Sequence, residues 1–192
     1  MLKELVTRNR SFRRFDQSSR ISEAQLLSWV ELGRLSASGA NLQPLKYFIS
    51  TDESQNALIF PTLAWAGYLK DWDGPSEGER PTAYIVILGD LEISKNFGVD
   101  HGIASQSILL GAAEEGYGGC MIASIKRDAL REVLELDNQY EILLVLALGK
   151  PMESVKLAPI PPDGSIKYWR DEKGVHYVPK RTLNEIVLNR TK

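Results

Sequence analysis

Two unbroken apolar stretches constrain this chain most. Ala83-Tyr-Ile-Val-Ile-Leu88 and the run from Glu141 to Leu148 lack the alternation of a half-solvated strand. Each therefore reads as a strand buried on both faces. Such strands need a covering layer on either side. Helical patterns between them can supply it, so the chain is expected to fold as an α+β or α/β sandwich with helices on a sheet. Its 192 residues suit one domain, residues 1–192. A composition of 43% hydrophobic and 25% charged residues fits a packed globule and argues against disorder.

Ser22-Glu-Ala-Gln25 forms a capping box. It opens a helix whose stripe of Leu26, Leu27, Val30 and Gly33 faces the core, and whose end is expected near Ser38-Gly39. Lys46–Thr51 reads as a short strand, and 55–69 as helix or irregular chain. The breaker-rich segment 71–81 reads as loop. Asp100–Glu115 is a helix rich in small residues, stopped by Gly116 and followed by an extended stretch, 117–123. A helix with so little polar surface is central or lies between subunits. A short amphipathic helix is expected over Lys126–Leu136, and the strand 141–148 is closed by Gly149-Lys-Pro151. The tail from Met152 carries no repeating apolar face until Leu183–Val187 and is expected to wrap a partner.

A net charge of −2 disfavours a general nucleic-acid binder. One cysteine excludes an internal disulfide framework, and two histidines argue against a Cys/His metal site. No run approaches a membrane span and no signal segment is evident, so the cytoplasm is the expected address.

Several clusters could carry chemistry. Arg8, Arg10, Arg13 and Arg14, interleaved with Ser11, Phe12 and Phe15, suit anion capture or a solvated charged face. Ser36-Ala-Ser-Gly-Ala-Asn-Leu-Gln-Pro44 reads as a polar cradle or as a turn into a strand. Gly116-Tyr-Gly-Gly119 lacks the dinucleotide fingerprint. Its glycines admit a ligand closely or only end the helix. Cys120 reads as a small buried hydrophobe, and the acids Asp71, Asp73, Glu77 and Glu79 as a solvated loop. Trp72, with Trp65, could cover a flat ligand.

In this order and spacing the clusters resemble the flavin-dependent nitroreductase family. Arg10-Ser-Phe-Arg-Arg-Phe15 is similar to an Arg-Arg-Ser-x-Arg-x-Phe opening, with Asn9 in place of the first arginine and Arg8 beside it. Ser38-Gly-Ala-Asn-Leu-Gln-Pro44 resembles Ser-x-x-Asn-x-Gln-Pro, with Ala37 where a proline is usual. The small-residue helix running into its turn, Gly149-Lys-Pro151 and the basic pair Lys180-Arg181 complete the likeness.

The resemblance implies an α+β three-layer sandwich. A central, mostly antiparallel sheet would be flanked by helices, with the C-terminal arm exchanged in a homodimer. It implies FMN held between two chains. Arg10, Ser11, Lys180 and Arg181 would take the phosphate, and Arg13 would lie near N1 and O2 of the ring. Ser38, Asn41 and Gln43 of the other chain would meet ribityl and ring atoms. Backbone from Gly119 to Ser124 would lie by the ring, with the Ala123 or Ser124 amide near N5. The flavin would carry hydride from NAD(P)H to a small aromatic acceptor such as a nitroaromatic or quinone, in ping-pong order. No catalytic side chain or metal is then needed. A flavin- or small-ligand-binding protein without turnover is the alternative.

Overall fold

A computed structural model describes residues 1–69 and 71–188. In chain order they form α1 (Leu2–Arg8), β1 (Phe15–Asp16), α2 (Glu23–Arg34), β2 (Leu45–Ser50), α3 (Glu53–Ile59), β3 (Ala83–Asp90) and α4 (Asp100–Glu114). β4 (Gly118–Ile122), α5 (Arg127–Val133), β5 (Tyr140–Pro151), β6 (Val155–Pro159), β7 (Trp169–Arg170), β8 (His176–Lys180) and α6 (Leu183–Ile186) follow.

The two apolar runs pair antiparallel as β3 and β5 at the centre of a five-stranded sheet, ordered β1-β5-β3-β2 with β4 also on β5. Every residue of β3 is buried. Alternate side chains serve two cores, which explains why the strand shows no polar phase. Ala83, Ile85 and Ile87 join Leu26, Trp29, Ile108 and Leu109 of α2 and α4 on one face. Tyr84, Val86 and Leu88 join Ile59 and Leu130 of α3 and α5 on the other. The architecture is a helix–sheet–helix sandwich built on an antiparallel sheet. The register shifts between Ile87 and Leu88, a bulge that leaves Leu143 of β5 without a partner on β3.

Several boundaries move from those the sequence suggests. The Ser22 cap holds, with Gln25 N–H donating to the serine hydroxyl at 3.3 Å. The helix ends at Arg34, ahead of Ser38. Its core stripe is Leu26, Trp29 and Gly33, while Leu27 is 52% exposed. Trp29 takes that place because its indole N–H reaches Glu115 at 2.9 Å, so a bulky ring can be buried fully satisfied. The small-residue helix packs against α2 of the same chain. A Cβ on Gly111 would meet Leu32 at 2.5 Å, and one on Gly33 would meet Ile108 at 3.1 Å. β5 runs on through Pro151, since Lys150 and Pro151 pair with Asp16 and Phe15. α5 is one turn shorter than expected.

The tail makes a second, three-stranded sheet, β6-β8-β7, with β6 parallel to β8. Part of it packs on its own chain: Met152 N–H donates to the Arg14 carbonyl at 3.0 Å. α6 buries no residue and leaves Leu183 and Ile186 in solvent. The last four residues of the expected tail lie outside the described residues.

The sheet edge at β1 depends on glycine. A Cβ on Gly149 would lie 2.8 Å from the fully buried Phe15 ring. Gly149→Ala is expected to lower unfolding free energy by about 1–3 kcal/mol through overpacking. Gly102→Ala in α4, whose added methyl meets nothing within 4 Å, should raise it by up to about 1 kcal/mol. Urea denaturation of the two variants checks both signs.

Candidate active site

The N-terminal arginine segment does not wave in solvent. Ser11 bridges Gly119 in parallel register, and Phe12 N–H donates to the Gly119 carbonyl at 3.0 Å. This lays residues 9–13 along β4. Gly118 makes room for the Phe12 ring, and Gly119 for Leu109 and Leu148. Gly116, at φ +79°, ends α4. These three glycines thus have packing and chain-reversal reasons for being there.

Glu153 fixes the segment from the other side. Its side chain is 1% exposed. It accepts the Arg13 N–H at 2.5 Å, the Arg14 N–H at 3.2 Å and an Arg170 guanidinium N–H at 3.1 Å. Arg14 is spent in a two-pronged pair with Glu79, one prong at 2.7 Å. Glu79 is therefore not the solvated loop acid that the sequence suggests. Arg8, beside Asn9, donates to the Ala113 carbonyl at 2.8 Å and is not among the residues lining the adjacent clefts.

A cleft of ≈ 330 Å³ opens over this platform. Arg10, Ser11, Arg13 and Lys180 line it, with Gly119 in its wall. A second cleft, ≈ 190 Å³, runs along 120–124 and faces Ala64–Gly67. Ala123 and Ser124 line this one. The two meet at Arg13 and Met121, which line both, and make one groove. Cationic side chains dominate one end, and strand backbone and the Trp65 loop the other. Loop 60–66 is held there by Ala64 N–H on the Ser124 carbonyl at 2.9 Å. Cys120 is buried below. Burial pushes its thiol up while Arg13 pulls it down, and it offers no ready thiolate.

The remaining sequence-predicted residues fall elsewhere. Ser38 and Gln43 line a different cleft of ≈ 160 Å³, which shares no residue with the groove. Ser38 donates to Asp100 at 2.6 Å, and Gln43 N–H donates to the Ser38 hydroxyl at 2.9 Å. Asn41 is exposed beside them. Ala40, Asn41 and Gln43 all have positive φ, a strained arrangement of the kind found at functional sites. Arg181 faces Glu185 at 3.7 Å, is 55% exposed and lies outside the groove. Trp72 lies under the Arg170 guanidinium, 4.4 Å from the ring centroid.

The tail adds groups that the sequence reading did not single out. Arg13 sits 4.9 Å above the Tyr168 ring, and Tyr168 is 5.1 Å from the His176 ring. Both rings line the groove. His176 is fully buried, and neither ring nitrogen has a partner. Trp65 Nε1, at the other end, is likewise buried and unpaired. Buried polar groups are rarely left unmatched, which singles out His176 in the groove lining, whereas the Trp65 N–H edge lies toward Gly74. The Val175-His-Tyr-Val178 run between Gly174 and Pro179 was the available strand signal. Nothing local tells that it returns to Arg13. Among the described residues, no group of three or more His, Cys, Asp or Glu could hold a metal, and no helix is long and apolar enough to cross a membrane.

The chain is thus a doubly covered antiparallel sheet with a cationic groove at its β4 edge. Residues 76–150 match the model of the nitroreductase family, and the fold is that family's fold. A nitroreductase family protein from Clostridium novyi superposes with a TM-score of 0.64 at 21% identity, over 79% of this chain and 86% of that one. An FMN-dependent nitroreductase from Clostridium difficile gives 0.64 at 19%, over 78% and 87%. A structure from Clostridium acetobutylicum with the provisional name NADH oxidase gives 0.61 at 19%, over 77% and 87%. No curated protein sequence matches.

Burial pulls the His176 pKa down to about 4, with Glu153 opposing and Arg13 and Arg170 adding to the fall. The unfolded chain takes up this proton near pH 6.5, well before the folded one does. Stability is therefore fullest above pH 6.5 and is lost as pH falls toward 4, by up to about 3 kcal/mol for this group. His176→Gln should remove that part of the acid loss. Denaturant titrations of both proteins at pH 7 and pH 4.5 measure it.

Proposed function

We propose that this protein is an FMN-dependent oxidoreductase, working as a homodimer. It would pass hydride from NAD(P)H to a small aromatic acceptor such as a nitroaromatic or quinone. The observation that carries the reading is the groove itself, on a nitroreductase fold. Arg10, Arg13, Ser11 and Lys180 line one end, and the 120–124 backbone lines the other.

The donor set fits the cofactor. A phosphate needs charge-assisted donors, which Arg10, Lys180 and the Ser11 hydroxyl supply. The orphaned His176 nitrogens are further polar groups in the lining that a bound cofactor's polar atoms would match. FMN, when bound, supplies a flat ring that accepts and returns a hydride.

The chain's own residues do the rest. Arg13 places a fixed positive charge where the two clefts join, which favours the more negative, reduced form of a bound ring. Its backbone is held by Glu153 and its guanidinium by Tyr168, so little reorganisation accompanies the charge change. Strand 120–124 offers its rigid edge to a ring face, with the Ala123 and Ser124 backbone nearest the loop. Cys120, kept protonated, takes no part. Lys180 supplies the tail's charge in the cleft, with Arg181 as a more exposed helper.

The homodimer reading draws on the second cleft. Ser38, Asn41 and Gln43 form a strained polar turn away from the groove of their own chain, as expected if they complete a partner's site. Exposed Val99 just before α4, Ile103 on α4, and Leu183 and Ile186 on α6 give an apolar surface for that association. The arm exchange implied by the family resemblance belongs to the same proposal.

The purified protein should be yellow, and NAD(P)H should bleach it in the absence of oxygen. Colourless protein that takes up no FMN would end the proposal. Protein that holds FMN yet fails to oxidise NAD(P)H with a quinone or nitroaromatic would be the binding protein without turnover. Arg10→Ala and Lys180→Ala should each weaken FMN retention by about 10- to 100-fold, the worth of one charged hydrogen bond. Arg14→Ala should weaken it far less, because that arginine is engaged by Glu79. Flavin-fluorescence titration of the three variants ranks them.

A further inference from the structure

A separate cavity of ≈ 140 Å³ lies between α3, the start of β3 and the 77–82 segment. It shares no residue with the groove. Tyr84 reaches it from β3. This side chain is 1% exposed, yet its hydroxyl has no hydrogen-bond partner. A phenylalanine would fill the same core, so packing does not account for the oxygen. Arg80 lines the same cavity. Its guanidinium is held 4.5 Å from the Phe60 ring centroid, and its Nε is buried and unpartnered as well.

Two buried donors thus share one small space, and the protein's nearby acceptors are already engaged. The Asn56 side-chain oxygen takes the Ser50 hydroxyl at 2.8 Å, and the Thr82 carbonyl takes the Asn56 amide at 2.9 Å. Gln17 Oε1 accepts the Gly78 and Arg80 N–H groups at 2.8 and 3.2 Å. Glu53 is paired with Arg20 at 2.7 Å. Glu77 stands exposed at the rim, where water screens it. Glu53 and Glu77 both line the cavity from exposed positions, yet neither bonds the Tyr84 hydroxyl or Arg80 Nε, and the cation beside these orphaned donors prefers a negative acceptor.

We propose that this cavity binds a small oxyanion, a phosphate or carboxylate group, held by the Tyr84 hydroxyl and the Arg80 guanidinium. The cavity, ≈ 140 Å³, has room for such a head group. The site stands independently of the flavin reading.

Inorganic phosphate and acetate, titrated separately into the purified chain at constant ionic strength, test it by thermal melting and calorimetry. At least one ion should raise the Tm saturably. A larger response to phosphate marks a phosphoryl group as the occupant, and a response to acetate alone marks a carboxylate. Tyr84→Phe should raise the Tm of the ion-free protein, because an unpaired hydroxyl is removed, while weakening ion binding at least tenfold. Arg80→Gln should weaken it equally, and Arg34→Gln, which lines neither the groove nor this cavity, should leave it intact. Four results would overturn the site. They are no saturable response to either ion, an unchanged response in Tyr84→Phe, loss of the response in Arg34→Gln, or a lower ion-free Tm in Tyr84→Phe.

Discussion

The buried carboxylate of Glu153 holds three distant parts of the chain together. It accepts the backbone N–H groups of Arg13 and Arg14 and a guanidinium N–H of Arg170. It follows directly on β5, the strand that organises the main sheet. A lone buried charge would be costly, and here each of its partners is a donor that also needs an acceptor. The N-terminal segment, the end of the central strand and the tail meet at this oxygen pair. Without it the Arg13 backbone would lose its anchor, and the groove its shape.

The groove inherits its order from that anchor and from β4. Arg10, Ser11 and Arg13 owe their places to the bridge between Ser11 and Gly119, and so to the sheet. The cationic end is therefore mounted on strand backbone, which favours the fixed donor geometry that anion binding and charge stabilisation require. Burial lowers the Arg10 pKa, and its guanidinium also donates to the Asn9 and Val6 carbonyls, which fix it at the groove.

Much of the scaffold could be read from local pattern. The run at 83–88 and the cap at Ser22 declare themselves because each depends on neighbours in sequence: apolar continuity in one case, a three-residue hydrogen-bond reciprocity in the other. Leu27 and Trp29 exchanged roles because a distant acid, Glu115, made it possible to bury the indole. The same limit applies to the site. Arg10, Ser11 and Arg13 stand out as a cluster, but Arg14 in their midst is diverted by Glu79, an acid that local composition assigns to solvent. Tyr168 and His176 reach the groove through the pairing of β8 with β6 and β7, a long-range event without a signature of its own. The Tyr84 cavity was invisible for a related reason: a tyrosine in an apolar run looks like any other core side chain until its oxygen is seen to have no companion.

The loop that faces strand 120–124 is tied to the tail at two points. Tyr68 meets Tyr168 in a tilted pair, with ring centroids 5.0 Å apart, and Trp72 lies under Arg170. Both tail residues belong to the stretch that also contacts Arg13 and Glu153. Widening the mouth of the groove and loosening the C-terminal sheet are consequently one mechanical event. A displacement of that loop would therefore pull on the tail through one ring pair and one cation–ring contact.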